Sequence, residues 1–168
     1  MNLKNMLARG TVVIVDAAKK LQGLQVRLTA GEIKDGAEHF EPYGFTSNPL
    51  AGAEVLTAFI GGDRSHAVVL VATDRRYRIQ SMAPGEVAIY TDEGDRIHFK
   101  RGRIIDIETQ TLNIKATNSV NFDTPIITQT GQVVSQGDQV AGGVSQIEHL
   151  HGGVLVGSDQ SGPPIPEA

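Results

Sequence analysis

Ile105-Asp106-Ile107-Glu108-Thr109, Leu112-Asn113-Ile114-Lys115-Ala116 and Val120-Asn121-Phe122-Asp123 are three short stretches in which apolar and polar residues alternate. Alternation with a period of two puts every second side chain on the same side, so each stretch reads as a strand with one buried face. Such segments recur about every seven or eight residues, with Thr, Gln, Asn, Ser and Gly at the corners, as far as Val133-Val134 and Val140. A lone run of these strands cannot cover its own apolar side, as in any solenoid unit without neighbours.

Two wound architectures would supply the cover. A single-chain parallel β-helix needs longer coils than these, whereas three intertwined chains can each contribute one short strand per turn, and the short period favours the trimer. An antiparallel meander is the plainer alternative, but Asn-Gly and Asp-Gly hairpin turns are missing after Gly94. Composition points the same way. Aromatic residues make up 5% of the 168 residues, Trp is absent and Gly reaches 19, so the large side chains that fill a deep monomeric core are scarce.

Upstream, residues 11–15, 24–28, 54–60 and 66–72 are short β-rich stretches separated by Gly, Asp and Pro. Short strands packed into so little chain predict a small all-β barrel of the OB-fold type. Gly61-Gly62-Asp63-Arg64 reads as a turn between two apolar strands. Residues 31–49, with Pro42, Pro49 and Tyr43-Gly44-Phe45, read as a long loop whose aromatics either form an interface or plug the barrel mouth. Leu3, Met6 and Leu7 suit one amphipathic turn or a frayed end. The division expected is a barrel over 1–73, a β-helical shaft over 74–138 and an apex over 139–168.

Charge and cysteine content narrow the chemistry. A net charge of −4 argues against nucleic acid as a partner, because phosphate affinity needs concentrated Lys and Arg. With no cysteine, any metal must be held by nitrogen or oxygen. No signal-peptide run and no transmembrane-length apolar run occurs, so synthesis in the cytoplasm as a soluble chain is expected.

The sharpest local feature is His149-Leu150-His151-Gly152-Gly153. Histidines two apart on an extended strand face one side, and a three-fold axis beside them would gather two imidazoles from each chain. Such a shell favours an octahedral transition metal: iron foremost, with nickel and cobalt fitting the same geometry. A filled shell leaves no open position for water or substrate, which argues against catalysis. The glycines relieve crowding where three backbones meet, and Pro163, Pro164 and Pro166 stiffen the end. Outside that context, His-x-His reads as two surface histidines.

Tyr43-Gly44-Phe45-Thr46-Ser47-Asn48-Pro49 with Gly52-Ala53-Glu54, Gly61-Gly62-Asp63-Arg64 with His66, and His149-Leu150-His151-Gly152-Gly153 together resemble the Mu-like phage baseplate assembly proteins, the gpV-type central spikes of contractile tails. The resemblance runs over nearly the whole chain. It implies an OB-fold that docks on the baseplate hub protein and a trimeric β-helix. It also implies a pointed apex that pierces the host outer membrane, with one iron per homotrimer held by His149 and His151. The protein would then be a virion component of the tail baseplate and not an enzyme. Members of the family also hold calcium or chloride ions, which the resemblance assigns to no residue here. His39, His66 and His98 have no counterpart role and read as structural or surface residues.

Three rivals remain at this level. A metal-dependent cupin also carries His-x-His, but no suitable Glu or third His follows His151. A cell-wall-degrading spike could use Asp92, Glu93 and Asp95, which otherwise read as a charged turn around Gly94. A spike of a type VI secretion or related injection machine shares the barrel-and-needle plan, but such spikes normally fuse hub and needle in a longer chain.

Overall fold

The computed structural model describes residues 6–153 and residue 157. Pro163, Pro164 and Pro166 lie outside the described residues, as does Leu3. The chain separates into two units, residues 1–114 and 115–168.

In the first unit, β1 (Leu7–Asp16), β2 (Gly23–Leu28), β3 (Ile33–His39), β4 (Glu54–Phe59) and β5 (Ala67–Thr73) close into a barrel in the order β1-β2-β3-β5-β4. All pairings are antiparallel except β3 with β5, where Glu38 and His39 lie beside Val68 and Val69. This is an OB-like barrel, and closure leaves no strand edge free to recruit another chain. The β4 sequence shows why it forms: Val55, Thr57 and Phe59 alternate inward and are buried, while their neighbours are not. Phe59, Leu24, Val26 and Val69 fill the interior with Val12, Leu28 and Val55. At Gly10 a β-carbon would meet the Arg27 carbonyl oxygen at 2.5 Å, so only glycine lets β1 and β2 approach this closely.

The strand β3 runs through a stretch that the sequence presents as loop. Its inward aliphatic residue is only Ala37, and Gly36 sits at φ +64 where the register with β2 slips opposite Gln25. That is a β-bulge, and the strand is made by its neighbours more than by its own propensity. The aromatics after β3 do not plug the barrel, because Tyr43 and Phe45 are exposed.

Beyond the barrel, β6 (Val87–Tyr90), β7 (Arg96–Lys100) and β8 (Ile104–Glu108) form a three-stranded antiparallel meander. Over these residues the plainer alternative is the one adopted, built on a turn with Gly94 at φ +98 and another with Gly102 at φ +81. Its register aligns Val87 with Phe99 and Ile105, and Ile89 with Ile97 and Ile107. One face is therefore a block of aliphatic and aromatic side chains, and all six are exposed. The other face carries Arg96 with Glu108 and Lys100 with Asp106, the latter pair at 2.8 Å.

From residue 109 to residue 139 the described chain has no strand of its own. Leu112, Ile114, Val120, Phe122, Ile126 and Val134 are exposed, Val134 to 85%. The alternation predicts strands here, yet the same chain offers them no ladder. In the second unit β9 (Val140–Ala141) and β10 (Val144–Ser145) pair as a minimal hairpin.

Candidate metal centre

The β9–β10 hairpin turns through Gly142 and Gly143, at φ +59 and +83. Two consecutive positive φ values are what a tight two-residue hairpin requires, and Gly-Gly adopts them without strain. The chain then turns again, and a carboxylate organises that second turn. Asp138 Oδ1 accepts from the backbone N–H of Gln146 at 3.0 Å and of Ile147 at 3.1 Å. With a hydrogen bond from the Ser145 hydroxyl as the first cause, these contacts hold the Asp138 carboxyl below its ordinary pKa.

His149 and His151 come directly after that turn. They lie outside any strand, but their rings come together with centroids 4.9 Å apart and planes at 78°. His149 Nδ1 stands 2.8 Å from the Ser145 carbonyl oxygen. A carbonyl can only accept, so in the neutral ring Nδ1 carries the proton and Nε2 keeps its lone pair. Leu150 between them is 94% exposed. Among the described residues no group of three or more His, Cys, Asp or Glu side chains converges to hold a metal. The described residues of one chain thus bring together two imidazoles and no third ligand.

A β-carbon at Gly152 or Gly153 would touch nothing within 4 Å in the single chain, and only Gly153, at φ +77, needs glycine for its own backbone. Sequence reasoning missed Asp138 and Ser145. The signal lay in their flanking the Gly142-Gly143 turn immediately upstream of the histidines.

The other candidates are spent locally. His39 is buried, with Nδ1 2.9 Å from Gln22 Oε1. His66 pairs with Glu38 at 3.4 Å and His98 with Glu86 at 3.2 Å. Asp92 and Glu93 are exposed and Asp95 is half-buried in the β6–β7 turn, where the Thr91 hydroxyl donates to Asp95 Oδ2 at 3.3 Å. The loop after β3 is pinned by Glu41, which accepts from the Ser47 N–H at 2.6 Å and from the Ser47 and Thr46 hydroxyls at 2.8 and 2.9 Å. Phe45 N–H donates to the Pro42 carbonyl at 3.0 Å across Gly44 at φ +86, so a stiff turn holds Tyr43 outward.

Comparison with known proteins agrees with this layout. The family described as Bacteriophage Mu Gp45, N-terminal, matches residues 9–76, which span the barrel. The baseplate puncturing device gp45 of Escherichia phage Mu is 41% identical over 144 residues, covering 85% of this chain and 73% of that one. The chain belongs to the Mu gp45 family. A second relative, the Mu-like prophage FluMu protein gp45 of Haemophilus influenzae, is 33% identical over 176 residues, covering 98% of this chain and 92% of its own. Similarity to the gp45 proteins therefore extends past the barrel into residues 109–139, where the described chain has no strand.

Proposed function

We propose that this chain is the central spike of a contractile tail baseplate, in which three copies wind together below their barrels into a needle that pierces the host envelope. The observation that carries the reading is the exposure, in one chain, of the apolar residues from Val87 to Val134. Apolar surface of that extent needs a cover, and alternating strands without a ladder need partners. Two further copies supply both, because each chain brings identical strands in identical register. The Mu relative's designation as a baseplate puncturing device supports the same role.

On this reading the barrel over 1–73 docks on a baseplate hub protein, with Tyr43 and Phe45 as aromatic anchors on a stiff loop. Residues 74–138 form the shaft and residues 139–168 the apex that meets the host outer membrane. Stiffness and not turnover is the work, so the spike has no catalytic residue, and it acts as part of the virion.

At the apex, His149 and His151 from each of three copies hold one iron ion. The donor set fits: both rings are exposed, they lie side by side, and Nε2 of His149 is free to coordinate. When bound, the ion supplies a closed cross-link between the chains. The residues themselves contribute orientation and tautomer. Native mass spectrometry of the purified full chain tests the reading, with a trimer carrying one iron expected. A metal-free monomer would sink it and leave a barrel with an uncovered tail.

A further inference from the structure

Ser145 stands where the last hairpin meets the histidine pair, and it is held from several sides. Its Oγ accepts the Glu148 N–H at 2.8 Å, and its side chain is the first of the groups that hold the Asp138 carboxyl below its ordinary pKa. Its carbonyl accepts from His149 Nδ1 at 2.8 Å. Asp138 in turn fixes the next turn through the Gln146 and Ile147 N–H groups, and Gln146 N–H also reaches the Gln139 carbonyl at 2.9 Å. The carbonyl that faces the imidazole therefore belongs to a residue whose side chain and both flanks are tied down. A neutral imidazole has one N–H to place, and the group that accepts it decides which nitrogen keeps a lone pair.

We propose that Asp138 and Ser145 are positioning residues for His149: together they hold the Ser145 carbonyl against Nδ1, so that Nε2 is presented, unprotonated, to a metal ion shared by three copies. The proposal rests on the reading of His149 and His151 as ligands. A carboxylate suits the task because it accepts only, whereas an amide in its place would also offer donors to a turn that has donors already. Among the described residues no comparable carbonyl holds His151, which makes His149 the ligand oriented in advance. Partners of this kind around ligating histidines typically contribute 10–100-fold in affinity.

The test uses the full chain labelled with ¹⁵N-histidine and stripped of metal by a chelator. Two-bond imidazole ¹H–¹⁵N spectra at a pH where the rings are neutral report the tautomer. Wild type is expected to show His149 with the proton on Nδ1. Asp138→Ala and Ser145→Ala are expected to shift it toward the Nε2–H form that a free histidine side chain favours, and Ser145→Thr, which keeps the hydroxyl, to restore it. Ferrous and nickel titrations of the same samples should show about 10–100-fold weaker uptake in the two alanine variants. Unchanged subunit mass and circular dichroism separate positioning from misfolding, and Ser145→Ala, the milder change, keeps the comparison open if Asp138→Ala does not fold. A His149 tautomer that is unmoved in both variants, or unchanged metal uptake, overturns the proposal. No metal uptake by wild type, with the tautomer locked on Nδ1–H, overturns the ligand reading instead and leaves the hairpin's hold on the imidazole standing.

Discussion

Ile107 lies on the edge strand β8 of the meander's bare face, level with Ile97 and Ile89, and is 54% exposed in the single chain. Full burial of an isoleucine side chain is worth about 1.5–3 kcal/mol. Roughly half of that, about 1 kcal/mol per chain, is therefore gained only when another surface covers the face. Three copies make it about 3 kcal/mol per trimer, or about 100-fold in the dissociation constant. Ile107→Ser should lose this much, and more where the new hydroxyl is buried without a partner. The measurement is sedimentation of the full chain across protein concentration in sub-denaturing urea, where weakened assembly shows as dissociation at higher concentration. Lys100→Ser on the opposite face is the control, since an exposed ion pair with Asp106 at 2.8 Å contributes little. Equal dissociation of Ile107→Ser and wild type, or a wild type that sediments as a monomer throughout, would refute the claim that copies of the chain cover this face.

Inside the barrel the Thr57 hydroxyl is fully buried and has no hydrogen-bond partner. Thr57→Val keeps the shape and removes the cost, so the barrel transition should rise by about 1 kcal/mol, read by calorimetry, whereas a fall would mean that the hydroxyl is satisfied. Tyr43→Ala should leave stability within about 0.5 kcal/mol, because the ring packs on nothing, while co-purification with baseplate partners drops. Glu86 accepts the N–H groups of Arg101 and Ala83 and faces His98, which holds its carboxyl below the ordinary 4.5. A depressed folded pKa contributes stability above the unfolded value that is lost as pH falls through the folded one. Melting curves from pH 6 down to pH 3 should therefore decline less steeply in Glu86→Gln than in wild type; parallel curves would show that the contacts of Glu86 are not formed.

The barrel was legible because its signals are local. In residues 54–59 and 67–73 the β-branched and aliphatic residues agree with the Gly61-Gly62-Asp63 turn between them, and the strands lie where that pattern puts them. Residues 33–39 were illegible for the opposite reason: Lys34, Asp35 and Gly36 carry no strand signal, and only pairing with β2 and β5 makes them extended. The meander shows a third case. The alternation at Ile105, Ile107 and Thr109 marks the strand but not its partner, so it could not tell a hairpin neighbour within the chain from a strand of another. The histidine pair could be read as a motif, whereas the carboxylate behind it could not, because Asp138 acts on residues 146 and 147 through a turn that two glycines create.

These differences reflect where the apolar residues find cover. In the barrel, Leu24, Val26, Phe59 and Val69 are buried by their own chain, so the fold there is complete in one copy. From Val87 onward the large apolar side chains are exposed, and among the described residues the chain's own strands end at Glu108 apart from one minimal hairpin. Order in the barrel is thus intrinsic, while in residues 109–139 the large apolar side chains find no cover within the described chain. If His149 and His151 are ligands, a pair that follows such a segment would have no fixed direction without a local anchor. A hairpin closed by Gly142 and Gly143, with Asp138 and Ser145 anchoring the turn that leads to His149, needs no neighbour to form. On the proposed reading of His149 and His151 as ligands, each chain would carry an oriented imidazole before three copies met, which would reduce the ordering that metal capture has to drive.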